Sequence, residues 1–258
     1  MAALAGWLGA SRALALEKIE DGGPERAEFV RAVRQLFLDE EYELLDQMAD
    51  KLWQEKTRFA DGCWKLPFFY KAFRVEGRDS KVNWHEWWAR YGRWEKKYPQ
   101  SATARVMHAW TMMNYAWEAR GGGWADTVSK EGWQLFAERI KIGRDILDSD
   151  PSLKKVPGYY EVMMTVALGQ SWPREKAEDL FIEAAVLARD YEEFYFYRAN
   201  FLQPKWYGKE GEWLRFADEA AEATKEAWGR AFYARVVWAT LGLPDKNVSK
   251  MKRSTGPN

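Results

Sequence analysis

The sequence predicts an all-α chain of stacked antiparallel helical hairpins forming a right-handed solenoid. Three observations carry this expectation. Apolar residues recur with helical spacing through nearly all of the chain between its two ends. A Trp-bearing turn recurs in the C-terminal half: Ser171-Trp172 and Lys205-Trp206 stand 34 residues apart, and each Trp is followed eight residues later by a leucine, Leu180 and Leu214. Alternating apolar runs and Asn-Gly turns, the marks of β-hairpins, are absent.

The elements follow in order. After Pro24 at a first turn, Phe29, Ala32, Val33 and Leu36 fall at i, i+3, i+4 and i+7. Asp39-Glu40-Glu41 interrupts that stripe, and Leu45, Met48, Ala49 and Leu52 begin another, so the two helices form an αα-hairpin. Ala60-Asp61-Gly62 is the next break, with Gly62 as the expected end of the second helix. Residues 83–98 form the most aromatic helix. Trp84, Trp87, Trp88, Tyr91, Trp94 and Tyr98 share one face, the charged residues Glu86, Arg90, Arg93, Lys96 and Lys97 largely the other, and Pro99 stops it. Residues 101–120 carry the stripe Val106, Trp110, Met113 and Trp117 up to Gly121-Gly122-Gly123, which a helix holds only at a cost. Trp133, Phe136, Ala137, Ile140 and Ile146 form the next face, closed by Asp150-Pro151.

In the C-terminal half, Ala177, Leu180, Phe181, Ala184 and Ala188 make one second-helix face, and Trp213, Phe216, Ala217 and Ala220 its counterpart. Trp124 reads as an earlier copy of the turn Trp, with a longer loop before Leu135. A 34-residue period of paired helices with alanine at the crossing points is the tetratricopeptide spacing. Small residues let the helices approach, and each hairpin buries its face on the next.

The composition bounds the function. The 258 residues hold 39 Lys+Arg against 39 Asp+Glu, so the usual electrostatic argument for nucleic acid or a membrane surface is missing. One cysteine, Cys63, excludes an internal disulfide framework and multi-Cys metal sites. No apolar run approaches the ~20 residues of a membrane span. Sixteen Trp, 12 Tyr and 13 Phe are the unusual figures. Residues 1–23 form an N-terminal segment, 24–243 the helical-repeat domain and 244–258 a basic solvated tail. The small, apolar residues 1–15 end in Ala13-Leu14-Ala15, the small-x-small form of a signal-peptidase site. No Lys or Arg precedes them and Arg12 interrupts them. The expectation is a periplasmic or exported protein, with an amphipathic segment on a cytoplasmic protein as the alternative.

Several motifs occur together in order. Trp64-Lys65-Leu66-Pro67-Phe68-Phe69-Tyr70 is similar to a W-K-L-x-x-F-Y signature. Tyr98-Pro99-x-Ser101, Ala116-Trp117-x-x-Arg120-Gly121, Asp150-Pro151 and Leu202-x-Pro204-x-Trp206-Tyr207-Gly208 follow it. Together, over roughly residues 25–225, they resemble a bacterial domain family of unknown function found beside tetratricopeptide-like proteins. The resemblance implies an all-helical repeat fold and a bacterial source. It implies no chemistry, because it brings no catalytic or binding residues with it.

Chemical motifs are sparse. His85-Glu86-Trp87-Trp88 begins like the zinc motif H-E-x-x-H, but position 89 is Ala and no Cys/His cluster substitutes. Cys63 lacks a nearby base in sequence and reads as structural. Gly121-Gly122-Gly123 has no following Gly-Lys-Ser/Thr and reads as a flexible connection. No cofactor is expected.

Aromatic faces also suit sugar clefts, with Glu86, Asp126 and Asp179 among the available carboxylates, though their spacing singles out no pair. The Trp stripe of residues 83–98 is expected in the core, and net neutrality argues against nucleobase stacking on it. The remaining signal is a second stripe: His108, Met112 and Tyr115 on one helix, and Tyr195, Arg198 and Leu202 on a later one. Such residues suit a concave groove that binds another protein, with burial of both sides between neighbouring repeats as the alternative for each residue. The function expected is therefore a non-enzymatic protein-interaction module, an adaptor or a toxin-neutralising partner. The competing class is a Trp-rich carbohydrate-binding or glycoside-cleaving protein.

Overall fold

The computed structural model describes residues 22–74 and 83–242, and within them the chain is all-helical, with twelve α-helices, two short 3-10 helices and no β-sheet. The expected export signal and the basic tail lie outside the described residues. No described helix is long and apolar enough to cross a membrane.

Helix α1 (Gly23–Leu38) opens on Pro24 and buries Val33 and Phe37. Its stripe ends at the acidic run, where Glu40 turns the chain with φ 61°. Helix α2 (Tyr42–Gln54) buries Tyr42, Leu45, Ala49 and Leu52. The acidic stretch 39–46 is expected to be solvated surface, and Asp46 departs from this. Its carboxylate accepts from Ser101 Oγ at 2.6 Å and Trp94 Nε1 at 3.2 Å. Gly62 does not end α2. The helix stops at Gln54, Lys56 takes a left-handed φ of 50°, and Gly62 (φ 83°) turns a tight loop in which Phe59 N–H donates to Cys63 O at 2.8 Å.

Helix α3 (Lys65–Lys71) carries the W-K-L motif and buries Leu66, Phe69 and Tyr70. Helix α4 (Trp84–Lys97) starts where Asn83 Oδ1 accepts from Glu86 N–H. Its Tyr91 and Trp94 are fully buried, and Trp87 and Trp88 pack half-buried against the same core. Helix α5 (Ala102–Arg120), capped by Ser101 Oγ, is buried on several sides.

The remaining helices are α6 (Lys130–Asp148), α7 (Pro157–Gly169), α8 (Arg174–Leu187), α9 (Glu192–Phe201), α10 (Glu212–Ala223), α11 (Lys225–Trp228) and α12 (Ala231–Leu241). Helices α5 and α6, α7 and α8, and α9 and α10 pack as hairpins, while α5, α7, α9 and α12 pack one beside the next. Gly143 permits the α5–α6 approach: a Cβ there would stand 3.1 Å from the Ala109 carbonyl and 2.3 Å from Met113 Cε. Leu180 is buried as expected, but Leu214 is exposed, because Trp213 and Phe216 take the inward positions beside Ala217.

The N-terminal helices lie against α7 and α9. Trp64 N–H donates to Glu192 Oε1 and Trp64 Nε1 to Asp190 O, both at 2.9 Å. Arg74 Nη2 donates to Tyr197 OH at 3.1 Å. Tyr70 sits so close to Gly158 that a Cβ there would come within 2.9 Å of its ring.

Candidate functional site

Of the six groove candidates, Met112, Tyr195, Arg198 and Leu202 are buried, and His108 and Tyr115 are half-buried. His108 stacks on Tyr91 (5.3 Å between ring centroids), with Nδ1 2.9 Å from Glu95 Oε1. Met112 is buried beside Gly143 of α6. Tyr115 packs between Trp84 and Trp88, with the Arg139 guanidinium 3.2 Å from its ring centroid. Helices α4 and α6 therefore cover that side of α5. On α9, Tyr195 packs on Phe181, Phe216 and Phe232, and its hydroxyl donates to Arg189 O at 2.7 Å. Arg198, 4% exposed, pairs with Glu178, and burial lowers its pKa to about 10. Leu202 is buried with Ala177 and Phe201. Met112, Tyr195, Arg198 and Leu202 thus form no open groove. The second stripe marks helices packed on both sides, which is what helices between neighbours require.

The open aromatic surface lies elsewhere, at the end of the bundle where the three hairpin loops meet. A cleft of ≈550 Å³ is walled by Trp117 and Arg120 of α5, Trp133 and Phe136 of α6, Trp124 of the first loop, and Lys205, Trp206 and Tyr207 of the third. Trp117 meets Phe136 at 4.9 Å and Trp206 at 5.8 Å, both edge-on. The Arg120 guanidinium lies 5.5 Å from the Trp117 ring and 5.3 Å from Trp133. Its Nη1 donates to Gly121 O and Gly123 O, each at 3.1 Å, which fixes the glycine run as a bonded loop.

Thr127 closes a single 3-10 turn by donating from its N–H (3.0 Å) and Oγ1 (2.7 Å) to Trp124 O, leaving the Trp124 ring 78% exposed. Tyr207 OH donates to Leu168 O at 2.8 Å and lies 2.7 Å from Ser171 Oγ, tying the second loop to the third. Gly208 makes this loop possible, since a Cβ there would stand 1.8 Å from Leu202 O. Such an approach admits only glycine.

The cleft has two cations, Arg120 and Lys205, and no carboxylate among its lining residues. None of the glycosidase candidates lines it, although Asp126 adjoins Ala125 in the same loop. Glu86 pairs with Arg90 and Arg93 on α4, Asp126 is exposed in the 3-10 turn, and Asp179 is exposed on α8. Burial pushes the Cys63 thiol pKa up, and its Sγ is 3.0 Å from Arg235 Nη1, so it acts as a packed structural group. His85 is exposed against Trp88, and among the described residues no three His, Cys, Asp or Glu side chains are placed to hold a metal.

In two further cavities, several of the lining charges are engaged by neighbouring groups. In one, Asp46 is taken by Ser101 and Trp94, and Lys97 lies 5.4 Å from the Tyr98 ring. In the other, Arg26 pairs with Asp61 and Lys71 Nζ is 3.9 Å from Glu193.

Sequence reasoning placed Trp117 and Trp133 in core stripes and read Trp124 and Trp206 as repeat markers. The available signal was aromatic residues adjoining glycine in loops, Gly123-Trp124 and Trp206-Tyr207-Gly208. Comparison of the chain with protein-family models, curated proteins and solved structures returns no match.

Proposed function

We propose that the chain is a helical-repeat interaction module of tetratricopeptide-like hairpins, and that it captures a segment of another protein in the aromatic cleft. The hairpin packing and the recurring turn Trp support the repeat reading. The observation that carries the function is the cleft itself: exposed indole and phenol rings beside two cations, with no acid in the wall. Trp, Tyr and Arg are the side chains that supply most binding energy at protein interfaces. The motif likeness to a bacterial family belongs to this proposal, as do an adaptor or toxin-neutralising role and an exported location. Glycoside cleavage is the weaker reading, because it needs two carboxylates flanking the scissile bond and this cleft brings none.

The test compares affinity capture from a bacterial lysate by the full-length chain, by Trp124→Ala/Trp206→Ala and by the surface control Val186→Ala. Proteins retained by wild type and control and lost by the cleft variant support the reading. Identical capture by all three removes the cleft as the interface.

A further inference from the structure

We infer that the cleft selects an acidic polypeptide segment, one in which an Asp or Glu side chain neighbours an aromatic or prolyl ring. This rests on reading the cleft as the interaction site and names what that site prefers. The hydrogen-bonding groups of the wall carry the argument. Arg120, Lys205 and the indole N–H groups only donate. The two wall hydroxyls, Ser171 and Tyr207, are engaged with each other and with Leu168 O. No Asp, Glu, Asn, Gln or His side chain lines the cleft. A neutral sugar presents hydroxyls that need acceptors as well as donors, and the only side-chain acceptors here are the two hydroxyl oxygens. A carboxylate needs only donors.

The charge points the same way. Arg120 uses Nη1 on two backbone carbonyls, and its Nε and Nη2 make no hydrogen bond among the described residues. Lys205 is exposed and joins no ion pair among the described residues. In a chain of zero net charge, two uncompensated cations against a low-dielectric aromatic wall form a local positive patch. Two cations suffice for one or two carboxylates. They fall short of the cationic track along which a single-stranded nucleic acid runs its backbone. The open rim at Trp124 suits an extended chain lying across the mouth better than an enclosed small molecule.

Fluorescence anisotropy with the full-length chain tests this. The probes are labelled short peptides alternating Asp or Glu with Phe or Pro, and the same peptides with Asn and Gln in place of the acids. Chitohexaose and oligothymidylate serve as competitors. The acidic peptides are expected to bind about tenfold more tightly than their amide twins at low salt, with the advantage shrinking as salt is added. Lys205→Glu, an exposed change outside the core, is expected to abolish that advantage. Trp124→Ala is expected to weaken both. Equal binding of acidic and amide peptides overturns the acid preference and leaves the interaction reading standing. No peptide binding, or displacement by chitohexaose or oligothymidylate, overturns both.

Discussion

At Trp64 the ring is fully buried, its N–H is bonded to Asp190 O, and the Arg58 guanidinium lies 4.7 Å from it. The Asp190 carboxylate answers Arg58 at 2.5 Å. At the loop end, Trp117 and Trp133 hold Arg120 in a similar way, yet among the described residues no carboxylate answers Arg120, and the neighbouring Trp124 ring stands in solvent. The same residue types therefore build a sealed knot in one place and an open cleft in the other. What separates them is exposure and the presence of a counter-charge. An unpaired indole N–H does not separate them, since Trp88 and Trp110 in the body of the fold share that feature with Trp206.

The sharpest way to break the comparison is to remove one ring from each region. Trp64→Ala is expected to cost about 3–5 kcal/mol, because it opens a large cavity beneath the Arg58 guanidinium. Trp124→Ala is expected to stay within about 0.5 kcal/mol, since its ring is mostly solvated. Denaturant titrations of the two variants check this, and equal losses would erase the distinction. Gly208→Ala comes next, at roughly 1–3 kcal/mol, because a methyl group has no room beside Leu202 O. It is expected to displace Tyr207 and so blunt peptide binding more than Trp124→Ala does.

A further contrast is a pH dependence confined to the buried side. Glu161 is almost fully buried, and its Oε1 accepts from Tyr191 OH at 2.6 Å. Burial raises the pKa of Glu161 from 4.5 to about 8 and that of Glu192 to about 7. Folding thus favours the protonated forms. The stability they confer is present in full below pH 4.5 and is lost as pH climbs through 7 and 8. Glu161→Gln keeps an acceptor for Tyr191 without the charge. It is expected to flatten the fall in thermal midpoint between pH 5 and 8. A midpoint in wild type that rises over this interval would contradict the assignment.

Much of the fold was legible. Asn83 and Ser101 cap the helices that the aromatic and Val106 stripes announce, and Pro24, Asp39 and Gly121 fall at ends. Where reading failed, a physical reason is visible. Helix α7 is apolar on nearly every side, so periodicity assigns it no face, and its central place emerges only from packing. The second stripes of α5 and α9 look like a groove because a side chain covered by a neighbouring helix and one facing a ligand share the same chemistry. The cleft was the least legible part. It is assembled from three loops far apart in sequence, and loop residues carry no period.

The contacts around Cys63 change how such a chain must come apart. Cys63 Sγ receives Arg235 Nη1 from 172 residues away, and Asp61 O receives Arg235 Nη2 from 174. Trp228 closes over Arg58 at 4.8 Å. A linear array of repeats can fray from either end, one unit at a time. Here the early loop and the last helix clasp one another, so each end's opening is coupled to the other's. Amide exchange should then report one shared opening event across the first and last helices, slow and all-or-none, in place of a gradient running inward from the termini.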